Sequence, residues 1–281
     1  MKTATTTQTR ASAVRLAAAG NVFKTWLIIG ILSGAAGGIG WLLAEKRGAT
    51  LFAFCSLLAA LGVYAYGDRA LLGMLGARPY ALAEDPLLKS TVDRLAAAFH
   101  VKSPKIYLLD DLFPRAFSVG RGPRSSTVAV STGLIGALPP DELSAILAHE
   151  LAHVRSRDVL TQTFAVLFAV MLVETSRVGG WFSNGLLYVL APVGAAFVHL
   201  TLSPKRELNA DRLAATVTGA PSELADALVR LDRASELVLF AASPATAPLY
   251  PIDPFGDSRL TRMYRTHPPL ADRLAALQAL A

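Results

Sequence analysis

The chain is organised around residues 147 to 158, which read Leu-Ala-His-Glu-Leu-Ala-His-Val-Arg-Ser-Arg-Asp. His149, Glu150 and His153 stand here in the order H-E-x-x-H. Two histidines four residues apart project from one face of a helix, so both imidazoles can bind a single metal ion. Glu150 lies beside them, where its carboxylate can take a proton from a water molecule. The pattern therefore predicts part of a hydrolytic metal site.

The flanking residues predict that this motif lies in a helix. Pro140 can take the first helical position, and Asp141 and Glu142 then fall in the first turn, where the helix dipole favours acids. Leucine and isoleucine between residues 143 and 151 form an apolar stripe. Arg155 and Arg157 follow near the far end, where cations are favoured.

The composition indicates a membrane protein, because 53% of the 281 residues are hydrophobic and 17% are charged. Cys55 is the sole cysteine, which excludes an intrachain disulfide and a cysteine zinc site. The formal charge is +6, but the basic residues are scattered and form no aromatic-interleaved patch. We therefore expect a lipid bilayer as a partner, with attraction to anionic headgroups, and no nucleic acid.

Two apolar runs near the N-terminus predict a transmembrane hairpin over residues 25–67. The runs, 26–43 and 51–66, are separated by the short polar link 45–48. Each nearly crosses a hydrocarbon layer of ~30 Å at ~1.5 Å per residue. A buried hairpin of a soluble protein is the alternative, and it is disfavoured because neither run has a polar face.

The basic residues predict the orientation of this hairpin. Residues 1–24 form a polar segment with four basic residues and no acid, whereas the link contains Lys46 and Arg47. The positive-inside rule then places the N-terminus and the H-E-x-x-H helix in the cytoplasm, in a bacterial inner membrane. The same N-terminal composition is also typical of a transit peptide, which makes a mitochondrial membrane the alternative.

We expect the first part of the domain that contains the H-E-x-x-H helix at residues 68–158. An amphipathic pattern predicts a helix over 85–99, and three short runs, 105–109, 115–119 and 126–131, predict a small antiparallel sheet. A free sheet edge could pair with an extended peptide. Residues 159–203 predict a second, membrane-associated apolar hairpin, and 204–281 the rest of the domain.

The third metal ligand is expected downstream, because catalytic zinc usually has three protein ligands. Glu207 and Asp211 lie one turn apart on a predicted helix, and Ala210 and Ala214 are small enough to let it approach the motif helix. We predict Glu207 as the ligand and Asp211 as support for an imidazole. His267 is the other candidate. A structural zinc site is disfavoured because such sites generally have four ligands.

The chain resembles the HtpX-like family of membrane zinc metalloproteases, which is related to the CAAX prenyl proteases. The resemblance is carried by residues 149–153 with Asp158, by 207–211 and by Thr-His-Pro-Pro-Leu at 266–270. Residues 116–120 and 128–134 are similar to the family's substrate-edge region. Two residues depart from the family: Arg115 replaces an asparagine, and Pro204 replaces an arginine.

This resemblance implies a mainly α membrane protein with a zincin-like α+β metalloprotease domain, one Zn²⁺ per chain and membrane proteins that are misfolded or damaged as substrates. In it Glu150 would be the general base, and His267 would stabilise the oxyanion or pack a loop. The metal ligands would be His149, His153 and Glu207. Asp211 and Asp158 would support the metal ligands. Val128, Ala129 and Val130 would form the edge that binds the substrate.

Two alternatives remain at this point. A protease of prenylated or signalling peptides is disfavoured because CAAX enzymes have more membrane spans than this sequence shows. A non-catalytic scaffold or chaperone-like protein that keeps the fold is disfavoured because Glu150 is present.

Overall fold

The computed structural model describes residues 2–81, 85–178, 183–237, 244–251, 263–264 and 266–280. These residues are mainly helical, with one small sheet, as predicted. The helices and strands, in chain order, are α1 Lys2–Met74, β1 Arg78–Pro79, α2 Pro86–Ala98, β2 Lys105–Leu109, β3 Ala116–Gly122, β4 Ser125–Ser131, α3 Thr132–Ala137, α4 Pro140–Ser156, α5 Val159–Val178, α6 Ser183–Thr201, α7 Pro204–Thr218, α8 Pro221–Leu237, a 3₁₀ helix Pro244–Leu249 and α9 Leu270–Gln278.

Helix α1 folds back on itself as the predicted hairpin. Its backbone leaves the helical region at Ala44 and Glu45, and Glu45 has a φ of 50°. The rings of Trp26 and Tyr64 lie 5.8 Å apart, and the Ser33 hydroxyl donates to that of Ser56 at 3.4 Å. Since the paired residue numbers have nearly the same sum, the two arms run antiparallel.

Small residues let the arms of α1 touch near the turn. A Cβ added to Gly40 would lie 2.2 Å from the carbonyl oxygen of Gly48, so only glycine fits there. The outer surface is apolar; for example, Leu42 is 85% and Leu43 is 69% exposed. The stretch Ala18–Met74 has the length and composition to cross a membrane, with a mean hydropathy of 1.9 in its most apolar window.

The first arm of α1 is tied directly to the helices that follow the motif. The Asn21 amide donates to the carbonyl of Ser156 at 2.8 Å, at the end of α4. The hydroxyls of Thr25 and Thr161 lie 2.7 Å apart, which joins the arm to α5. These hydrogen bonds therefore fix the position of the hairpin relative to the motif helix α4.

Helices α5 and α6 pack against each other as a second hairpin. The rings of Phe168 and Phe197 lie 4.4 Å apart, and Gly194 packs against Ala169. Helix α5 leaves α4 at an angle of 95°. The pairing agrees with the prediction of a hairpin over 159–203, whereas its association with the membrane stays a prediction.

The sheet corrects one detail of the sequence analysis, because it is mixed and not purely antiparallel. Its strand order is β1-β2-β4-β3. Strand β2 pairs with β4 in parallel, while β1 with β2 and β3 with β4 are antiparallel. The parallel pair needs the crossover through β3, a long-range arrangement that the pattern of short strands does not specify. Strand β3 lies at the edge and α4 packs against it.

The two helices that carry the candidate ligands begin and end as their sequences predict. Pro140 occupies the first turn of α4 with Asp141 and Glu142, and Arg157, which has a φ of 58°, caps the C-terminal end. Helix α7 begins at Pro204 after the Ser203 cap, and Gly219, with a φ of 70°, caps its C-terminal end. Pro204, a departure from the family pattern, therefore fits the start of this helix.

Candidate active site

Helices α4 and α7 bring three potential ligands together. One nitrogen or oxygen from each of His149, His153 and Glu207 lies within 4.8 Å of the others, and all three residues are buried. The Nε2 atoms of the two histidines are 3.2 Å apart. The carboxylate of Glu207 lies 3.4 Å from His149 Nε2 and 3.6 Å from His153 Nε2. The structure thus brings the three predicted metal ligands together.

The close approach of the helices depends on small residues. Ala148 and Ala152 on α4, and Ala210 and Ala214 on α7, are each at most 3% exposed and belong to one apolar cluster. A larger side chain at these positions would push the helices apart and separate the ligands. The alanines that the sequence analysis noted at 210 and 214 therefore have the predicted packing role.

Each histidine has a carboxylate on its other ring nitrogen. Asp211 Oδ1 lies 2.9 Å from His149 Nδ1, although outside ideal hydrogen-bond geometry. Asp158 Oδ2 lies 3.0 Å from His153 Nδ1. A carboxylate in this position orients a metal-binding imidazole and raises its basicity. Both aspartates lie where the sequence analysis expected support for the ligands.

Two arginines that were not assigned from the sequence, the buried Arg273 and the half-buried Arg206, balance the acids. Arg206 donates to Glu207 at 2.6 and 3.1 Å, and Arg273 of α9 donates to both oxygens of Asp211 at 2.7 Å. Gln162 of α5 accepts from Arg206 at 2.8 Å. Arg206 is adjacent to Glu207 in the sequence, so this ion pair could have been predicted. Arg273 is 62 residues from Asp211, and no local sequence pattern indicates that they pair.

The charges around the two imidazoles favour binding of a positive charge, either a proton or a metal ion. Burial lowers the pKa of His149, yet Asp211 and Glu207 outweigh it and the net shift is upward. Burial also opposes protonation of His153, but Asp158 and Glu207 raise its pKa to about 10. Glu207 stays ionised despite burial, because Arg206 and the histidines hold its pKa well below its usual range. Two imidazoles and a carboxylate in such surroundings fit a divalent metal such as zinc.

Glu150 and His267 line the same small cavity as the three ligands. Burial is the main cause that raises the pKa of the Glu150 carboxyl. Burial likewise lowers the pKa of His267 to about 4, so its ring is neutral at pH 7. His267 Nε2 lies 3.7 Å from Glu207. The cavity has a volume of about 10 Å³, which is enough for about one water molecule.

Residues 244–251 cover the cavity. Pro248, Leu249, Tyr250 and Pro251 form part of its lining. The Gln162 amide donates to the carbonyl of Pro248 at 2.9 Å. The prolines between residues 241 and 257 predict a loop, and residues 244–249 of it form a 3₁₀ helix; residues 252–262 lie outside the described residues.

Arg115, the other departure from the family pattern, joins strand β3 to this covering segment. Its guanidinium is buried, pairs with Asp111 at 2.7 Å and donates to the Tyr250 hydroxyl at 2.9 Å. The substitution of an asparagine by arginine thus supplies two polar contacts beside the cavity.

The predicted substrate edge at Val128, Ala129 and Val130 is wrong. These residues lie on β4, which is hydrogen-bonded to β2 on one side and to β3 on the other. A strand with partners on both sides has no free backbone groups for a peptide. The edge strands of the sheet are β1 and β3, and Ala116 and Phe117 of β3 line the cavity.

Known proteins resemble this chain over most of its length. The sequence profile of Peptidase family M48 matches residues 82–281. The Protease HtpX homolog of Pelotomaculum thermopropionicum is 35% identical over 279 residues, covering 93% of this chain and 99% of that relative. The homolog of Acidiphilium cryptum is also 35% identical, covering 93% and 97%. The crystal structure of S. mikatae Ste24p is 18% identical with a TM-score of 0.49, covering 92% of this chain and 65% of that chain.

The profile covers most of the chain, and the two relatives are matched over nearly their whole length. The resemblance to the HtpX-like proteases is therefore confirmed. Because the buried histidine, histidine and glutamate cluster is also intact, this chain belongs to peptidase family M48 and is a metallopeptidase with membrane helices.

Proposed function

We propose that this protein is a membrane-embedded zinc endopeptidase that cleaves misfolded or damaged membrane proteins next to the bilayer. The observation that carries the proposal is the position of the metal site. His153 lies one turn before Ser156, and Ser156 accepts a hydrogen bond from Asn21 on the first arm of the hairpin. His153 is therefore about 4.5 Å, measured along α4 at ~1.5 Å per residue, from the residue that contacts a helix able to enter the membrane.

His149, His153 and Glu207 would hold the zinc ion. When bound, zinc would lower the pKa of a water molecule from ~15.7 towards ~7 and polarise the substrate carbonyl. Asp211 and Asp158 orient the imidazoles through their second nitrogens. Their own charges are balanced by Arg273 and Arg206, so the ligand geometry is fixed before substrate arrives.

Glu150 is proposed as the general base and acid. Its carboxyl lines the cavity that contains the ligands, and burial raises its pKa towards the working pH. It accepts a proton from the attacking water and then delivers that proton to the leaving amine. His267, neutral and on the same cavity, is placed to donate a hydrogen bond to the oxyanion.

Substrate entry requires the covering segment to move, because about 10 Å³ cannot hold a peptide. Displacement of residues 244–251 would uncover Ala116 and Phe117 on edge strand β3. An extended peptide could then add to this edge through backbone hydrogen bonds, which would favour cleavage of unfolded segments with little sequence preference.

We place the metal site on the cytoplasmic side of the membrane. Four basic residues precede the apolar stretch and Arg69 and Arg78 follow it, on the side of α4, whereas Lys46 and Arg47 lie at the turn. The larger number of basic residues before and after the hairpin supports this orientation. Impermeant thiol labelling of a Lys46→Cys variant in a Cys55→Ser background should succeed in intact cells, and labelling only after lysis would reverse the orientation.

The proposal is tested with Glu150→Gln in the purified full chain. This variant should bind as much zinc as the unmodified protein and cleave an unfolded casein substrate ~10²–10⁴-fold more slowly, because the proton acceptor is lost. Glu142→Gln on the same helix, where Glu142 pairs with Arg230 at 2.7 Å, is the matched control and should remain active. Undiminished cleavage by Glu150→Gln would overturn the mechanism.

The substrate class is tested with the same variant used as a trap in its native membrane. Crosslinking to Glu150→Gln should capture membrane proteins, and more of them after a treatment that damages membrane proteins. Capture of soluble proteins alone, while casein cleavage still depends on Glu150, would retain the peptidase and overturn the membrane substrate.

A further inference from the structure

A second cavity, of about 290 Å³, lies between the second arm of α1 and one end of the sheet. It shares no lining residue with the metal site. Asp68 is the one carboxylate among its lining residues, and it accepts from the backbone N–H of Arg69 at 2.9 Å. The cationic residues that line it are Arg69, Lys102, Lys105, Arg121 and Arg124.

Five cations against one carboxylate create a strong positive potential in a concave site. Arg121 and Arg124 flank the β3–β4 turn, while Lys105 starts β2. Hydroxyl groups add further donors. Ser126 also lines the cavity, and its Oγ is buried without a hydrogen-bond partner in the described part of the chain. This donor set suits a phosphate group.

The cavity lies at the level where the second arm of α1 leaves the bilayer. From Lys46 to Tyr66 the arm rises ~30 Å at ~1.5 Å per residue, which matches the hydrocarbon thickness. Trp26 and Tyr64 face each other at 5.8 Å, as aromatic residues do at a membrane interface. The Arg121 guanidinium lies 5.8 Å from the Tyr64 ring, so the basic cavity borders this aromatic pair.

An apolar surface leads from the membrane into the cavity. Ala65, Asp68 and Leu72 line the cavity at helical spacings of three and four residues. The same face of the helix continues towards the membrane at Leu61 and Leu58, which are 41% and 51% exposed. An acyl chain on this face would place its headgroup among the cations.

We propose that this cavity binds the phosphate-bearing headgroup of an anionic phospholipid. The phosphate contacts the five cations and the Ser126 hydroxyl, while the acyl chains lie along Leu58 and Leu61. Free phosphate shares the headgroup chemistry, but it makes no use of the apolar face. The bound lipid would hold the β3–β4 turn against the hairpin. This inference depends on the membrane hairpin and not on peptidase activity.

The test is a native mass spectrometry titration of the full chain, in neutral detergent, with phosphatidylglycerol. Lys105→Gln/Arg124→Gln should weaken binding roughly tenfold, since each basic residue near a headgroup contributes measurably. Lys46→Gln/Arg47→Gln removes the same two charges at the far turn of the hairpin and is the matched control. It should bind as the unmodified chain does. The charge-retaining Lys105→Arg/Arg124→Lys should restore binding to within about threefold.

Three results with the variants would overturn the inference. These are equal lipid affinity in Lys105→Gln/Arg124→Gln and the unmodified chain, equal weakening in the far-turn control, or no recovery in the charge-retaining variant. Inorganic phosphate and phosphatidylcholine are titrated in the same way as comparison ligands. Phosphatidylglycerol should bind at least tenfold more tightly than either. Equally tight binding of inorganic phosphate would also overturn the inference and assign the cavity to a soluble anion, and equally tight binding of phosphatidylcholine would overturn its selectivity for an anionic lipid.

Discussion

The two arms of α1 and the pair α4 and α7 both pack through small residues, but the hairpin exposes apolar side chains whereas α4 and α7 enclose charged ones. In the hairpin, Gly40 and Gly48 touch while apolar residues such as Leu42 face outward. Between α4 and α7, Ala210 and its neighbours allow close approach, and the space encloses titratable groups such as Glu207, 3% exposed. Close packing positions a membrane anchor in one region and a metal-binding cluster in the other.

The two helix pairs therefore need different surroundings. An outer apolar surface needs hydrocarbon, and the hairpin needs few internal polar contacts. A buried cluster of charges needs balancing charges, and Arg206 and Arg273 supply them inside the protein. Substitutions that remove a balancing charge should therefore cost more than substitutions in the hairpin.

The largest effect on stability is expected from Arg273→Met. This change leaves the fully buried Asp211 carboxylate without its two 2.7 Å hydrogen bonds, at a cost of about 3–5 kcal/mol. Thermal unfolding in detergent measures it. Arg233→Met, at an exposed position on α8, is the control. Equal unfolding temperatures for the two variants would show that the cluster does not depend on this charge.

A smaller effect is expected from Asp211→Asn, which keeps the shape and removes the charge beside His149. Supporting carboxylates of this kind typically contribute 10–100-fold to metal affinity, so zinc should bind more weakly by that factor. Competition with a chelator of known affinity measures the change. Asp226→Asn, on the exposed face of α8, should bind zinc normally. Unchanged affinity in Asp211→Asn would remove the aspartate from the site.

The smallest of these effects is expected in the hairpin, from Gly40→Ala. The added methyl group would lie 2.2 Å from the Gly48 carbonyl oxygen and force the arms apart, at a cost of about 1–3 kcal/mol. Gly38→Ala is the matched control, since nothing lies within 4 Å of its Cβ. Both variants should bind zinc fully. Loss of zinc in Gly40→Ala would mean that hairpin packing and metal binding are coupled.

Local periodicity made much of the site predictable from the sequence. The i, i+4 spacing of His149 and His153 and the one-turn spacing of Glu207 and Asp211 place these side chains on helix faces, and the structure brings the faces together. The hairpin was also predictable, because two apolar runs joined by a short polar link are compatible with few other structures. The roles of Glu150 and His267 stay predictions.

Long-range pairings were not predictable. The position of β4 inside the sheet depends on a parallel partner, β2, which no local pattern identifies, so the substrate edge was assigned to the wrong strand. The Arg273–Asp211 pair joins α9 to α7 across 62 residues. The basic cavity likewise combines residues from α1, from β2, β3 and β4, and from the segments beside these strands, and in the sequence its basic residues look like scattered surface charge.

The central claim is that Glu207 completes a metal site begun by His149 and His153, and zinc content per chain tests it most directly. Metal analysis of the full chain should find one zinc in the unmodified protein and in Glu223→Ala, a control on the neighbouring helix α8. Glu207→Ala should lose most of its zinc and its casein cleavage together, because only two protein ligands remain. A full complement of zinc in Glu207→Ala would contradict the account and place the third ligand elsewhere.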